Sequence, residues 1–283
     1  MKTKLIILCV FSLFSTFVHA GGPWATGKGK AYTQLGASFN HYNAIFYNGT
    51  ILTLPPPITD NTYQFYGEFG ITNKLTFISN IPFKTLSIKY KSNLTNVPYA
   101  VGNLNGFGNI SLAGKYSFWE KGVNLAAQVQ VQSSNNRTNY TTGLRTGYSC
   151  WVVTPSFIIG KGFKKWYAFA EAGMALRSSG YSEEILSNAE IGYTPFNRFL
   201  LALAFINKNS LKNGNVDEKY GQETSLYVNN QSYNAFSLKV AYGFTDKIGV
   251  NLSANGAFAG NLVGAAPTFN ASVYYKFLGK AKP

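Results

Sequence analysis

The side chains able to do chemistry are few, and their spacing builds no familiar catalytic group. The chain has two histidines. His19 sits in the N-terminal apolar stretch and His41 in the first strand-like segment. A Ser–His nucleophile needs both side chains within hydrogen-bond reach and a polar group to orient the base. Ser38 precedes His41 by three positions, which on a strand puts the two on opposite faces. The 11 acidic residues are scattered over 283 positions, not gathered as calcium binding or an aspartyl protease would need. No cysteine–histidine spacing matches a zinc site. The glycine-rich run from Gly102 to Gly108 is not followed by a helical pattern, so it is no phosphate cradle. Cys150 stands alone after Cys9 and reads as a small wall residue. No enzyme activity, metal or cofactor is expected.

A second set of charges is more informative. Glu68, Lys115, Glu171, Arg177, Glu190, Lys239 and Lys276 all fall on the polar side of alternating segments. Charges held away from bulk water must pair or stay hydrated. Such a set can fill and rigidify an interior, or line a constriction that sorts solutes. Either role needs elements that present one polar and one apolar face.

Those elements are strands, whose side chains alternate sides with period two. Residues 268–277 place Phe269, Ala271, Val273, Tyr275 and Phe277 on one face and Thr268, Asn270, Ser272, Tyr274 and Lys276 on the other. Residues 62–71 set Tyr63, Phe65, Phe69 and Ile71 against Gln64 and Glu68, and 109–118 set Ile110, Leu112, Tyr116 and Phe118 against Ser111, Lys115 and Ser117. Residues 123–132 set Leu125, Val129 and Val131 against Asn124, Gln128, Gln130 and Gln132. Residues 248–258 set Ile248, Val250, Leu252 and Phe258 against Asn251, Ser253 and Asn255. A slip of one residue would turn the glutamines to the apolar side, so the register is well specified. The run Phe199–Ile206 does not alternate; it reads as a strand facing lipid on one side and packed side chains on the other, or as a short core helix.

Turn-forming residues cluster at 71–74, 119–122, 160–164, 195–198 and 244–247. Longer segments fall at about 43–60, 90–106, 133–147, 178–184, 209–230 and 260–266. Short turns alternating with long loops predict about twelve strands with both chain ends on the turn side. Aromatic residues gather beside the turns, as at a water–lipid boundary. In the first long segment Ile45, Phe46, Tyr47, Ile51, Leu52 and Leu54 are apolar for an exposed tip. They mark an interaction patch or simply extend the flanking strands.

Bulk composition agrees. Charged residues make up 13% of the chain, against about 25% in soluble domains. Residues 1–20 have the form of a cleaved secretory signal: Lys2 and Lys4, an apolar stretch, then Val18-His19-Ala20 before Gly21. No later run is long and apolar enough for a spanning helix. The net charge of +14 falls to +12 when Lys2 and Lys4 leave with the leader. The lysines are spread over turns and polar strand faces, which suits lipid phosphates at a membrane rim or a cation-lined lumen, and not a nucleic acid.

Several stretches resemble a known group. Tyr66–Thr76 followed by Ile81-Pro82-Phe83, Gly106–Leu112 with Lys115-Tyr116, Thr142–Tyr148, Gly256–Asn261 and Tyr275-Lys276-Phe277 are similar to the XagA-like outer-membrane barrels. They are more distantly similar to the family labelled for the MetA pathway of phenol degradation. The second likeness implies uptake of hydrophobic solutes, as by the long-chain fatty-acid channels, which carry an N-terminal plug. Here only Gly21 to about Lys28 precedes the first strand, too short for a comparable hatch.

The reading is a single all-β domain over 21–283: a closed antiparallel transmembrane β-barrel of the Gram-negative outer membrane, exported by its leader. Its expected partners are outer-membrane lipid and lipopolysaccharide. Its expected activity is passive passage of a small apolar or weakly polar solute. The alternative is a structural or interaction barrel in surface adhesion or polysaccharide export. The sequence carries no signal for oligomeric state.

Overall fold

A computed structural model describes residues 21–88, 101–216 and 224–279. The expected leader at 1–20 lies outside the described residues, as do parts of the segments expected as loops at 90–106 and 209–230. The elements run β1 (Ala31–Tyr47), β2 (Thr50–Gly70), β3 (Leu75–Ile88), β4 (Gly102–Phe107), β5 (Ser111–Trp119), β6 (Asn124–Gln132), β7 (Thr138–Asn139) and β8 (Leu144–Arg145). They continue with β9 (Val152–Gly162), β10 (Trp166–Arg177), β11 (Glu184–Tyr193), β12 (Phe199–Ser210), β13 (Ser232–Gly243), β14 (Ile248–Asn261), β15 (Val263–Gly264) and β16 (Thr268–Phe277).

Each wall strand pairs antiparallel with its neighbours, and β1 pairs with both β2 and β16, so the sheet closes on itself. β4 and β5 both pair β3 and are two halves of one wall strand, while β15 is a short edge on β1. The wall is thus a closed barrel of 12 strands. All five expected tight turns separate the strands they were expected to separate.

The alternation sorts as its residues dictate. Leu112, Tyr116, Phe118, Val129, Val131, Leu252, Phe269 and Phe277 stand exposed on the outer face. Lys115, Ser117, Thr76 and Glu68 are buried inside. The run over 199–206 is part of β12 and not a helix: Leu201, Leu203 and Phe205 face out, and Ala202 and Ala204 pack inward. Alanine on the inner face lets a run without polar residues serve as a wall strand.

The segment expected as a loop over 43–60 is instead the far end of the β1–β2 hairpin, with Tyr47 paired to Thr50. Asn48 and Gly49 close it with φ of 46° and 77°, the double left-handed turn that suits a two-residue hairpin. A register shift between Tyr42 and Ala44 reverses which side chains face inward beyond it. Ile45 therefore enters an inner core with Tyr42, Ile58, Leu86, Ile88, Leu144 and Leu226, with Leu54 against it. Tyr47, Ile51 and Leu52 stay exposed and Phe46 is half-buried across from Ile51. The expected patch is split between the two faces of a hairpin. Cys150 is likewise no wall residue: it is buried in the loop before β9, beside Val152, Ala175 and Tyr181.

The Asn48–Gly49 turn gives a prediction. Gly49→Val forces a branched L-residue into a left-handed conformation and should cost about 1–2 kcal/mol. Urea unfolding of the folded barrel in detergent reads this, with Gly256→Ala, where a Cβ meets nothing, as the near-neutral control.

Candidate functional site: the barrel interior

The interior is filled from both ends by chain that is not wall. At the turn end, residues 21–30 fold into the barrel before β1 begins. This strap is held by inward side chains of three consecutive wall strands. Thr26 N–H donates to Thr76 Oγ1 at 3.0 Å, and Thr26 Oγ1 donates to Glu68 Oε2 at 3.0 Å. Lys115 Nζ donates to the Gly22 carbonyl at 3.0 Å and Ser117 Oγ to the Pro23 carbonyl at 2.5 Å. Across the lumen Trp24 meets the edges of Tyr167 and Phe169 on β10, with ring centroids 5.8 and 6.3 Å away. Two glycines make room. A Cβ at Gly160 would stand 2.9 Å from the Pro23 ring, and one at Gly70 would collide with the Gly27 carbonyl. The segment was expected to be too short for a hatch comparable to the plug of the fatty-acid channels. The strap is small, yet it reaches from β2 to β10 because it runs directly across the lumen.

At the loop end two connections turn inward. The β7–β8 hairpin buries Leu144 and Thr146, and the segment after residue 223 buries Thr224, Leu226 and Val228. Tyr42 Oη donates to the Thr224 carbonyl at 2.8 Å, and Thr224 Oγ1 donates to the Gly143 carbonyl at 2.9 Å. Below this cap lies a charged layer. Arg177 Nη1 meets Glu184 Oε1 at 2.5 Å, and Lys208 Nζ meets the same oxygen at 3.0 Å. The Arg177 guanidinium lies 4.2 Å from the Tyr148 ring centre and 4.6 Å from that of Tyr181. Nearby, Lys84 Nζ binds Asp60 Oδ1 at 2.7 Å.

Beside the strap a cavity of about 1080 Å³ remains, walled mainly by β1, β2, β12, β13, β14 and β16. Its wall carries Gln34, Gln64, Asn251, Ser253, Asn255 and Asn270, with the tyrosine rings of Tyr32, Tyr66 and Tyr274. It runs to the turn end past Arg198, Asp246 and Lys276. Tyr32 and Tyr274 stack at 5.6 Å between centroids, and Asn251 Nδ2 donates to both Tyr32 Oη and Gln34 Oε1 at 3.0 Å. The lining is therefore mostly uncharged, hydroxyl, amide and aromatic groups beside aliphatic ones such as Leu200 and Ile206, with charge confined mainly to Lys239 and the mouth.

The structure spreads the expected interior charges over five places. Glu68 (2% exposed) and Lys115 (1% exposed) grip the strap. Glu190 accepts from Tyr167 Oη at 2.6 Å and from Lys239 Nζ at 3.0 Å, forming a pair whose lysine borders the cavity. Glu171 accepts from Ser156 Oγ at 2.7 Å in mid-wall. Arg177 belongs to the charged layer under the cap, and Lys276 lies at the mouth, 5.2 Å from the Tyr274 ring centre. They do not meet as one ring. Asp60, Lys84, Glu184 and Lys208 were missed, although Asp60 and Lys84 share the inward parity of Glu68 and Thr76 on their strands. The first was hidden by reading residue 60 as loop. His41 is exposed on β1 with Nδ1 2.9 Å from Thr59 Oγ1, so its ring is engaged by a threonine of the next strand.

No protein-family profile matches the sequence, and no curated protein matches it in sequence. Solved structures do match in three dimensions. The chain is similar to an outer-membrane channel from Pseudomonas putida F1, at 16% identity and a TM-score of 0.70, over 92% of this chain and 100% of that one. It is also similar to the KdgM porin in complex with disordered oligogalacturonate, at 8% identity and a TM-score of 0.51, covering 87% and 99% of the two chains. The NanC porin aligns at 6% identity and a TM-score of 0.51, covering 87% and 100%. At these identities the likeness establishes the porin-like barrel architecture.

Buried and exposed ion pairs should behave differently. Glu184→Gln strands two cations under the cap and should cost about 3–5 kcal/mol. Asp246→Asn breaks the Arg198 pair, whose side chains are 47% and 75% exposed, and should cost at most about 1 kcal/mol. Thermal unfolding in detergent at low and high salt separates them, since only the exposed pair should weaken further with salt.

Proposed function

We propose that this barrel spans the outer membrane and works as a passive channel for a small, neutral, weakly polar or apolar solute. The observation that carries the reading is the 1080 Å³ cavity, lined by amides, hydroxyls and tyrosine rings, inside a wall whose outer face is apolar. A lumen meant for ions would be expected to line this cavity with charge. Here most interior charges are spent on one another or on the strap. Tyrosine faces bind apolar surface while the amides replace water around a few polar groups.

Membrane embedding is supported by the width of the apolar band and its rims. A tilted spanning strand needs about 9–11 residues, and β6, β11 and β16 have 9, 10 and 10. Trp119, Trp166, Phe196 and Phe244 are exposed at the turn end, and Trp151 at the loop end, as in the aromatic girdles of outer-membrane barrels. The turns would face the periplasm and the loops the outside, with rim lysines beside lipid and lipopolysaccharide phosphates. The XagA-like motifs support the same setting. The interaction-barrel alternative is weakened, because Ile45 and Leu54, two of the six residues of the apolar patch it relied on, belong to the inner core.

Two measurements test this. In planar bilayers and swelling liposomes, Trp24→Ala should loosen the strap and raise solute flux severalfold over a low wild-type level. Absence of conductance and swelling in both proteins overturns the channel. For embedding, Leu203→Arg on the outer face should destabilise the barrel by about 2–4 kcal/mol in lipid if it lies near the midplane. Ser253→Arg on the lumen side should cost much less.

A further inference from the structure

Glu68 is an unusual carboxylate in this interior. It is 2% exposed, and it accepts from Tyr66 Oη at 2.6 Å, from Thr26 Oγ1 at 3.0 Å and from the Gly21 backbone nitrogen at 3.3 Å. The other strongly buried carboxylates have a lysine or arginine: Glu184 has Arg177 and Lys208, and Glu190 has Lys239. Asp60, a little more open, has Lys84. Among the described residues no lysine, arginine or histidine stands within ion-pair distance of Glu68. Lys115 of β5, which also grips the strap, spends its ammonium on the Gly22 carbonyl. A buried carboxylate without a cation is expensive, so a positive charge belongs near it.

The nitrogen of Gly21 is in the right place to supply one, and it is also the atom that follows the small-x-small sequence Val18-His19-Ala20. We propose that removal of the leader at the Ala20–Gly21 bond creates the counter-ion of Glu68. An envelope endopeptidase hydrolyses that amide with water. The water oxygen goes to the Ala20 carboxylate, and the freed Gly21 nitrogen takes up protons to become an α-ammonium. As an amide this nitrogen is a single neutral donor. As an ammonium it carries a full charge and three donors, and the contact to Glu68 becomes a charge-assisted ion pair. Seating of the strap is thereby coupled to processing at one particular bond. The neighbouring grips, Lys115 to the Gly22 carbonyl and Ser117 to the Pro23 carbonyl, fix the position of that nitrogen to within one residue. A terminus one residue longer moves the charge away from Glu68.

The proposal concerns how the interior is closed and does not depend on which solute passes. The protein is exported with its own leader and purified from outer membranes, and its N-terminal peptide is read by mass spectrometry. The expected start is Gly21. The folded barrel and the urea-unfolded chain are then acetylated with an amine reagent near neutral pH, and modification of the Gly21 peptide is followed with time. The α-amine should react at least tenfold more slowly in the folded barrel. In Glu68→Gln that protection should fall severalfold. A second variant guards against misfolding of the first: one alanine inserted after Ala20, so that cleavage leaves the chain a residue longer, should fold, lose the protection and conduct more than wild type in bilayers. A mature chain starting elsewhere, equal reactivity of the folded and unfolded amine, or an inserted chain with unchanged protection and conductance overturns the proposal.

Discussion

Closure of the backbone ladder is the constraint from which the rest of this molecule follows. β1 gives one edge to β2 and the other to β16, so the ring of wall strands closes and their N–H and C=O groups within it find partners on both sides. With the backbone satisfied, side chains have only two destinations. One residue in two points to the outside and the next to the lumen. The outside is apolar, and the inside must take every amide, hydroxyl and charge that the strands carry.

A closed ring of 12 strands is too wide for its own side chains to fill and too narrow to stand as an open pore like barrels of about 16 strands. The chain resolves this by packing spare segments inside. At one end the strap crosses from Glu68 and Lys115 to Trp24 against Tyr167. At the other, Leu144 and Leu226 build an apolar core with the inner face of the β1–β2 hairpin. The ion pairs sit where these fillers meet the wall. Charge there is neutralised locally, so the remaining space is bordered mostly by neutral polar and aromatic groups. The character of the cavity is thus a consequence of what the fillers consume.

The barrel itself was legible in the sequence because alternation is a local property. The faces of residues 109–118, 123–132, 248–258 and 268–277 were readable one strand at a time, and so were the five turns. The long hairpin was not, although Asn48-Gly49 between apolar residues was the local sign that strands continue to 47 and from 50. Reading the apolar, proline and polar residues of 43–60 as loop concealed it, and concealed Asp60 with it. The register shift near Tyr42 then turned Ile45 inward, which strict alternation cannot foresee. The strap was judged by its length alone. Its role depends on where residues 22–26 land across the lumen, which no pattern inside Gly-Gly-Pro-Trp displays.

What the sequence determined by itself was the two-faced strand and the points where it reverses, hence a barrel of about the right strand number with a polar interior. Side-chain type and spacing along one strand are enough for that, because burial of an apolar face and pairing of adjacent strands are short-range decisions. Only the tertiary structure decided which interior groups meet. Glu68 reaches the strap, Glu184 reaches Arg177 and Lys208, and Asn251 reaches Tyr32, through neighbours and curvature that bring distant residues together around a closed ring. Each of those contacts exists because a buried polar group must find a partner, and which partner is near is a property of the closed sheet as a whole.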